Sequence, residues 1–399
     1  MIKSKRVIHL IPGFFPITGG GAEYFVLNLC KGLKKYQIES IIITRRYKNL
    51  KKKEIINGLT VRRFENYLPE KIKKLGIGIN VKSKYLRMLV ALGDLLGELI
   101  ILFKICRKLK ISLIHSSFIV PTGLIGIIIK KLLKIPLIIT VHGPADFYNI
   151  PKILRKTFRY ILKRADKVIC VSKRLEKDIK KELRIKNTNT ILNGTPKVDY
   201  SYYRNKKILR KYELNKEINR PIIIMTGRLI KSKRNDLLIK AIPRLSAKFP
   251  GVKVIILGEG RERQNLFKLA KKLGVEGNII MPGWVSEEDK RDFLGISDIF
   301  VHLSTEEGMS LSLIESQFAS LPVIVPNSRF ANEIIKNGYN GLYLKEPIKI
   351  EDIVKKIEII YSNKDIYEKF SRNSLSNSTR FTLEKMVKNY YTEYKKIMR

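Results

Sequence analysis

A chain of 399 residues, 44% of them apolar, is long enough for two domains with full cores and too apolar for wholesale disorder. Its 79 Lys+Arg against 36 Asp+Glu give a formal net charge of +43, which implies an anionic partner or a lysine- and isoleucine-rich composition throughout. Cys30, Cys106 and Cys170 are too scattered for a disulfide framework or a metal site, and read as buried thiols in a reducing compartment.

The opening MIKSKRVIHLIPG has too short an apolar run for a signal peptide. No stretch reaches the roughly 20 apolar residues of a transmembrane helix. Leu89–Phe103 comes closest, but Asp94 and Glu98 interrupt it. The charge is uneven: residues 1–200 hold 42 Lys+Arg and 13 Asp+Glu, net +29, and the remainder is net +14. Long apolar stretches accompany the excess, which favours an anionic membrane surface over nucleic acid, whose readers interleave basic residues with stacking aromatics.

In chain order, RVIHLIP, ESIIITR, ISLIHSS, IPLIITVHG and KVICVS read as buried strands, each leading toward a helical stretch. The clearest helix is 22–35, with Ala22, Phe25, Val26, Leu29, Cys30 and Leu33 on one face. SKYLRMLVALGDLLGELIILFKICRKLK (83–110) is a long apolar helical stretch with basic ends, either buried in the first domain or docked on anionic lipid. The polar, aperiodic segment 195–220 separates this half from a second alternating half. There the strands are PIIIMTG, VKVIILG, NIIMPG, DIFVHLS and LPVIVP, and the tail FTLEKMVKNYYTEYKKIMR is helical. Strand–helix alternation predicts an α/β fold of two domains with parallel sheets, whose ligands sit at the carboxyl ends of the strands.

Several segments fall at such ends. Gly19, Gly20 and Gly21 follow the first strand and open a helix, so they are either an anion cradle or a plain turn. His142 in TVHGPADF ends a strand. Arg228 and Lys233 in TGRLIKSKRNDLLI follow the first strand of the second half, where two cations suit a diphosphate, and Asp236 is a first-turn acid. LGEGRER offers Gly258 and Gly260, but Arg263 stands where a dinucleotide fingerprint needs its third glycine. EGMSLSLIE places Glu307 before a helix start and Glu315 about one turn into the helix. The amides of Met309, Ser310 and Leu311 then lie near the start, ready for phosphate. Ser312-Leu-Ile-Glu315 also fits a capping box, and spacing leaves both readings of Glu315 open.

Together these segments resemble the retaining glycosyltransferases of family four, with the GT-B fold of two facing Rossmann-like domains. The resemblance runs in family order over nearly the whole chain: GGGAE, the strand-end His142, VSK, LNG, GRLIKSKRND, LGEGRER, PGWV, EGMSLSLIE and NGYNGLYL. It implies that Arg228 and Lys233 bind the donor diphosphate. It also implies that Gly20, Gly21, Met309, Ser310 and Leu311 assist with backbone amides. Glu315 would accept ribose hydroxyls, Glu307 and His142 would meet the donor sugar as catalytic residues, and Trp284 and Val285 would lie near the base. The expected domains are 1–200 (acceptor side), 201–378 (nucleotide-sugar side) and 379–399, a helix packing back on the first. Lys233-Arg234 departs from the family's usual KG, Met309-Ser310 from its usual residues after EG, and NSRFANE from its common GG before Glu333.

The implied reaction is metal-independent transfer from a UDP- or GDP-sugar, with no cofactor, to a glycan or lipid-linked acceptor in envelope polysaccharide or glycolipid synthesis. No Asp-x-Asp occurs to hold a metal. The expected location is cytoplasmic and peripheral on the inner membrane face. A nucleotide-sugar epimerase or phosphorylase of the same fold, and a non-catalytic membrane- or nucleic-acid-binding protein, are the alternatives.

Overall fold

The computed structural model describes residues 5–16, 20–47, 49–67, 84–143, 152–200, 206–215, 218–304 and 306–398. Gly19 and the part of TVHGPADF beyond Gly143 lie outside them. The chain divides into two compact units, Met1–Asn193 with Leu383–Arg399, and Gly194–Thr382.

Among its described residues the first unit has eight strands: β1 (Lys5–Leu10), β2 (Ile38–Arg45), β3 (Lys53–Ile56), β4 (Leu59–Phe64), β5 (Leu113–Ser116), β6 (Leu137–Val141), β7 (Lys167–Cys170) and β8 (Thr188–Thr190). Their order is β3-β4-β2-β1-β5-β6-β7-β8. β3 and β4 are antiparallel, whereas β1 pairs parallel with both β2 and β5. β6 is buried along its whole length, as expected of a parallel strand covered on both faces.

The helices are α1 (Gly21–Leu33), α2 (Lys84–Lys108), α3 (Leu124–Leu133), α4 (Lys152–Arg164) and α5 (Lys173–Leu183). α1 buries the expected stripe of Phe25, Val26, Leu29, Cys30 and Leu33. It stops at Leu33 rather than residue 35, because a 3₁₀ turn over Lys34–Tyr36 tightens the chain before Gln37, at φ 57°. The final helix, Leu383–Ile397, packs against α1 and buries Met386, Val387, Tyr390 and Tyr394.

Between Leu89 and Glu98, α2 inverts the usual amphipathic pattern. Gly93, Gly97 and Glu98 are buried, and Asp94 is tied to Arg45 at 3.0 Å, while Leu89, Leu92 and Leu96 are 42%, 49% and 54% exposed. Burial, then the charge of Asp94, pushes the Glu98 carboxyl up to about 8. The acids that interrupt the apolar run therefore face inward and Leu89, Leu92 and Leu96 face out, while further along the helix Leu102 and Ile105 are buried in the ordinary way. Among the described residues no helix is long and apolar enough to cross a membrane.

Among its described residues the second unit has six parallel strands, β9 (Ile222–Thr226), β10 (Lys253–Leu257), β11 (Ile279–Gly283), β12 (Ile299–Val301), β13 (Val323–Pro326) and β14 (Gly341–Leu344). Their order is β11-β10-β9-β12-β13-β14. Its helices include α6 (Asn235–Lys248), α7 (Arg263–Lys272), α8 (Glu287–Ile296), α9 (Leu311–Phe318), α10 (Ile350–Tyr361) and α11 (Lys364–Ser378). The strand order reverses between β9 and β12, so the switch point of this sheet lies at their carboxyl ends. The two units are thus Rossmann-like, each with its own parallel sheet and helical layers.

Candidate functional site

The loop after β9 carries Arg228, exposed, and Lys233, whose side chain is 16% accessible. Its path is fixed by the glycine loop after β10. Gly227 donates its amide to the Leu257 carbonyl at 2.9 Å, and Leu229 donates to Glu259 at 2.8 Å. A Cβ on Gly258 would overlap the Gly227 carbonyl and one on Gly260 the Leu229 carbonyl, and both glycines hold positive φ, 134° and 159°. LGEGRER therefore buttresses the Arg228 loop through backbone contact. Arg234, where the family usually has glycine, sits at φ 54° in the left-handed region and forms an exposed ion pair with Glu346 at 2.7 Å. Asp236 lies in the first turn of α6, as expected, and pairs with Lys240 at 2.7 Å.

β12, next to β9 in the sheet, ends in the segment that holds Glu307. Glu307 Oε1 accepts from Lys233 Nζ, so the two ends at the switch point are joined by an ion pair. Burial, and next the charge of Arg228, pulls the Lys233 ammonium down to about 8. His302, one residue beyond β12, is 1% exposed and places Nε2 3.8 Å from the same Glu307 oxygen. Burial, then the Lys233 charge, holds its pKa well below the usual imidazole range, so it is neutral.

Ser310 is the N-cap of α9; its hydroxyl accepts from the Leu313 amide at 3.4 Å. This overturns the capping-box alternative: Ser312 lies inside the helix, and Leu313 holds the third helical position, so Glu315 is two residues too far along to close a box with the cap. Met309 and Ser310 are buried at this helix start, and Leu311 is its first residue, where backbone N–H groups lack intrahelical acceptors. Glu315, on the second turn, instead meets Lys290 of α8 at 2.8 Å, and Lys290 also meets Glu287 at 2.9 Å. Burial disfavours charge on Lys290, but Glu315 and Glu287 outweigh it and keep the ammonium protonated. Trp284, 54% exposed, and Val285 follow β11 at the outer edge of the sheet.

Gly20, Gly21 and His142 belong to the first unit. Gly20 is the N-cap of α1, in extended conformation, and Gly21 its first residue. His142 follows β6 directly, with its ring edge-on to Phe25 at a centroid distance of 4.7 Å. Burial lowers its imidazole to about 3. Two further histidines lie below it: His115 accepts from or donates to Thr140 at 2.7 Å and Tyr394 at 2.5 Å, and His9 is fully buried beside it.

Sequence reasoning missed Lys290 and His302. Lys290 carries no local signal, since it reaches Glu315 from another helix. His302 did carry one: it is one of four histidines in the chain and stands at a strand's carboxyl end, the same signal that singled out His142.

Two family profiles match successive parts of the chain: Glycosyltransferase Family 4 over residues 19–196 and Glycosyl transferases group 1 over residues 205–376. An uncharacterized glycosyltransferase of Methanocaldococcus jannaschii is 29% identical over 282 residues, covering 69% of this chain and 73% of its own. The UDP-Gal:alpha-D-GlcNAc-diphosphoundecaprenol alpha-1,3-galactosyltransferase of Escherichia coli is 27% identical over 302 residues, covering 73% and 76%. Anabaena HepE, solved in complex with UDP and glucose, matches with a TM-score of 0.78 at 17% identity over 98% of this chain and 100% of that one. At that identity the likeness speaks for the fold.

Proposed function

The chain belongs to the family four, group 1 glycosyltransferases of GT-B fold, and from that premise we propose that it moves a sugar from a UDP- or GDP-sugar to a glycan or lipid-linked acceptor, with retention and without a metal. The observation that carries this reading is the meeting of Arg228, Lys233 and Glu307 at the switch point of the second unit's sheet.

A nucleoside diphosphate leaving group develops negative charge as the glycosidic bond breaks. Arg228 and Lys233, with the amides at Met309, Ser310 and Leu311, supply preorganised positive potential there, the work a divalent ion does elsewhere. Glu307 faces the donor sugar, and Glu315, with Oε1 held by Lys290, offers its second oxygen to the ribose hydroxyls. Trp284 and Val285 flank the base. For the first unit, the same reading assigns Gly20 and Gly21 to the phosphates and neutral His142 to the sugar. Attack from the leaving-group side, with the departing phosphate taking the acceptor proton, preserves the anomeric configuration.

The test is incubation of purified protein with UDP-, GDP- and ADP-sugars and native membranes, following released nucleotide and labelled lipid. Transfer is expected from one donor, and Glu307→Gln and Arg228→Ala should each abolish it while circular dichroism stays unchanged. Near wild-type turnover in either variant overturns the assignment. Nucleotide release without acceptor would indicate an epimerase, and a requirement for inorganic phosphate a phosphorylase.

The acceptor reading rests on the surface of the first unit. α2 presents Leu89, Leu92 and Leu96 outward, and α4 carries six Lys/Arg and no acid, with Leu154 and Tyr160 exposed. Apolar side chains beside cations suit the interface of an anionic bilayer, where each nearby cation contributes about 1 kcal/mol. The protein should float with vesicles containing phosphatidylglycerol and stay behind with pure phosphatidylcholine. Leu92→Asp with Leu96→Asp should abolish flotation, and equal recovery from both vesicle types would sink the membrane reading.

A further inference from the structure

His302 sits where the proposed donor site needs a neutral hydrogen-bond donor. It is anchored by the sheet: its amide donates to the Ile324 carbonyl at 2.9 Å, and its ring stands edge-on to Phe330 at a centroid distance of 5.8 Å. Its Nε2 is buried without a hydrogen-bond partner and lies 3.8 Å from Glu307 Oε1, the oxygen that Lys233 also holds. A movement of about 1 Å brings that nitrogen into hydrogen-bonding range.

Lys233 has two calls on it. In this structure it neutralises Glu307; with a diphosphate present, two negatively charged phosphates compete for the same ammonium. Once Lys233 turns to the diphosphate, the partly buried Glu307 carboxylate loses its partner, and leaving it unpaired is costly. A second cation at that point would compete for the same phosphates. A neutral imidazole would not.

We propose that His302 is a positioning residue for Glu307: as Lys233 passes to the diphosphate, the His302 Nε2–H takes over Glu307 Oε1 and keeps the other carboxylate oxygen directed at the donor sugar. No bond is made or broken in this exchange, and the proton stays on the imidazole. The inference rests on the donor-site reading above and goes beyond it by naming what holds Glu307 when the site is filled.

The experiment compares His302→Leu, which removes the donor, with His302→Gln, whose amide N–H falls near the position of Nε2. Calorimetric UDP binding and steady-state transfer are measured for both, beside Lys233→Ala. Both His302 variants should bind UDP as wild type does. His302→Leu should lose about 10- to 100-fold in kcat, the range for one hydrogen bond to a charged group, with the donor KM little changed. His302→Gln should recover most of that loss. Wild-type kcat in His302→Leu, or equal loss in Leu and Gln, overturns the proposal. Should His302→Leu fail to fold, His302→Asn replaces it, since its donor falls on the Nδ1 side and it should be impaired where Gln is not. UDP binding unchanged in Lys233→Ala would instead defeat the donor-site reading itself.

Discussion

Lys233 is a cation held close to losing its charge. Burial and Arg228 lower it to about 8, and a diphosphate, by supplying negative charge, raises it again in the complex. The sign follows: below pH 8 the free protein already holds the ammonium that the diphosphate needs. Above it, binding must first capture a proton, so affinity falls as pH rises. Calorimetry of UDP binding should give a nearly constant association constant from pH 6.5 to 7.5. Toward pH 9.5 it should decline, approaching tenfold per pH unit, because one proton is taken up. Lys233→Arg, charged throughout this range, should flatten the profile. A wild-type profile flat to pH 9.5 would exclude Lys233 as the titrating ligand.

At the scale of elements, the parallel strands were legible because a strand buried on both faces reads as an unbroken apolar run, and LIITV of β6 or KVIIL of β10 allows little else. The hairpin of β3 and β4 was missed although its signal is plain: Asn57-Gly58, at φ 50° and 71°, is the two-residue turn such hairpins favour. β8, three residues of Thr-Asn-Thr, has no apolar run to read, and its pairing with β7 is a tertiary outcome. In the candidate site, Arg228, Lys233 and Glu307 were legible from their places after β9 and β12. The glycine buttress was not, because the closeness of the Gly258 and Gly227 backbones depends on the pairing of β9 with β10. Lys290 was hidden for the same reason. Its partner Glu315 lies 25 residues on, beyond a strand. The capping box failed by register: Ser310, two residues before the expected Ser312, takes the cap and moves Glu315 from the helix start into an ion pair.

At the scale of the whole molecule, the chain leaves its first unit at Asn193 and returns at Leu383, so the first unit's core is completed only by a segment separated from the rest of it by the whole second unit. Met386, Val387, Tyr390, Tyr394 and Met398 are buried in that core. Tyr394 reaches His115 at 2.5 Å, Tyr390 reaches Thr140 at 3.1 Å, and Tyr391 stacks on Tyr36 at a centroid distance of 4.0 Å. At about 1.5–3 kcal/mol for each buried side chain, losing these five removes on the order of 10 kcal/mol, comparable to the 5–15 kcal/mol by which a domain is stable. The second unit, Gly194–Thr382, is continuous and carries its own core. Urea unfolding followed by circular dichroism should therefore separate the two. Residues 194–382 expressed alone should unfold in one cooperative transition, whereas residues 1–382 should retain that transition and lose the one belonging to the first unit. A peptide of residues 383–399 added in trans should restore protease resistance to the first unit. If residues 1–382 unfold with both transitions unchanged, the final helix is dispensable to the first unit and its buried tyrosines contribute far less than their packing implies.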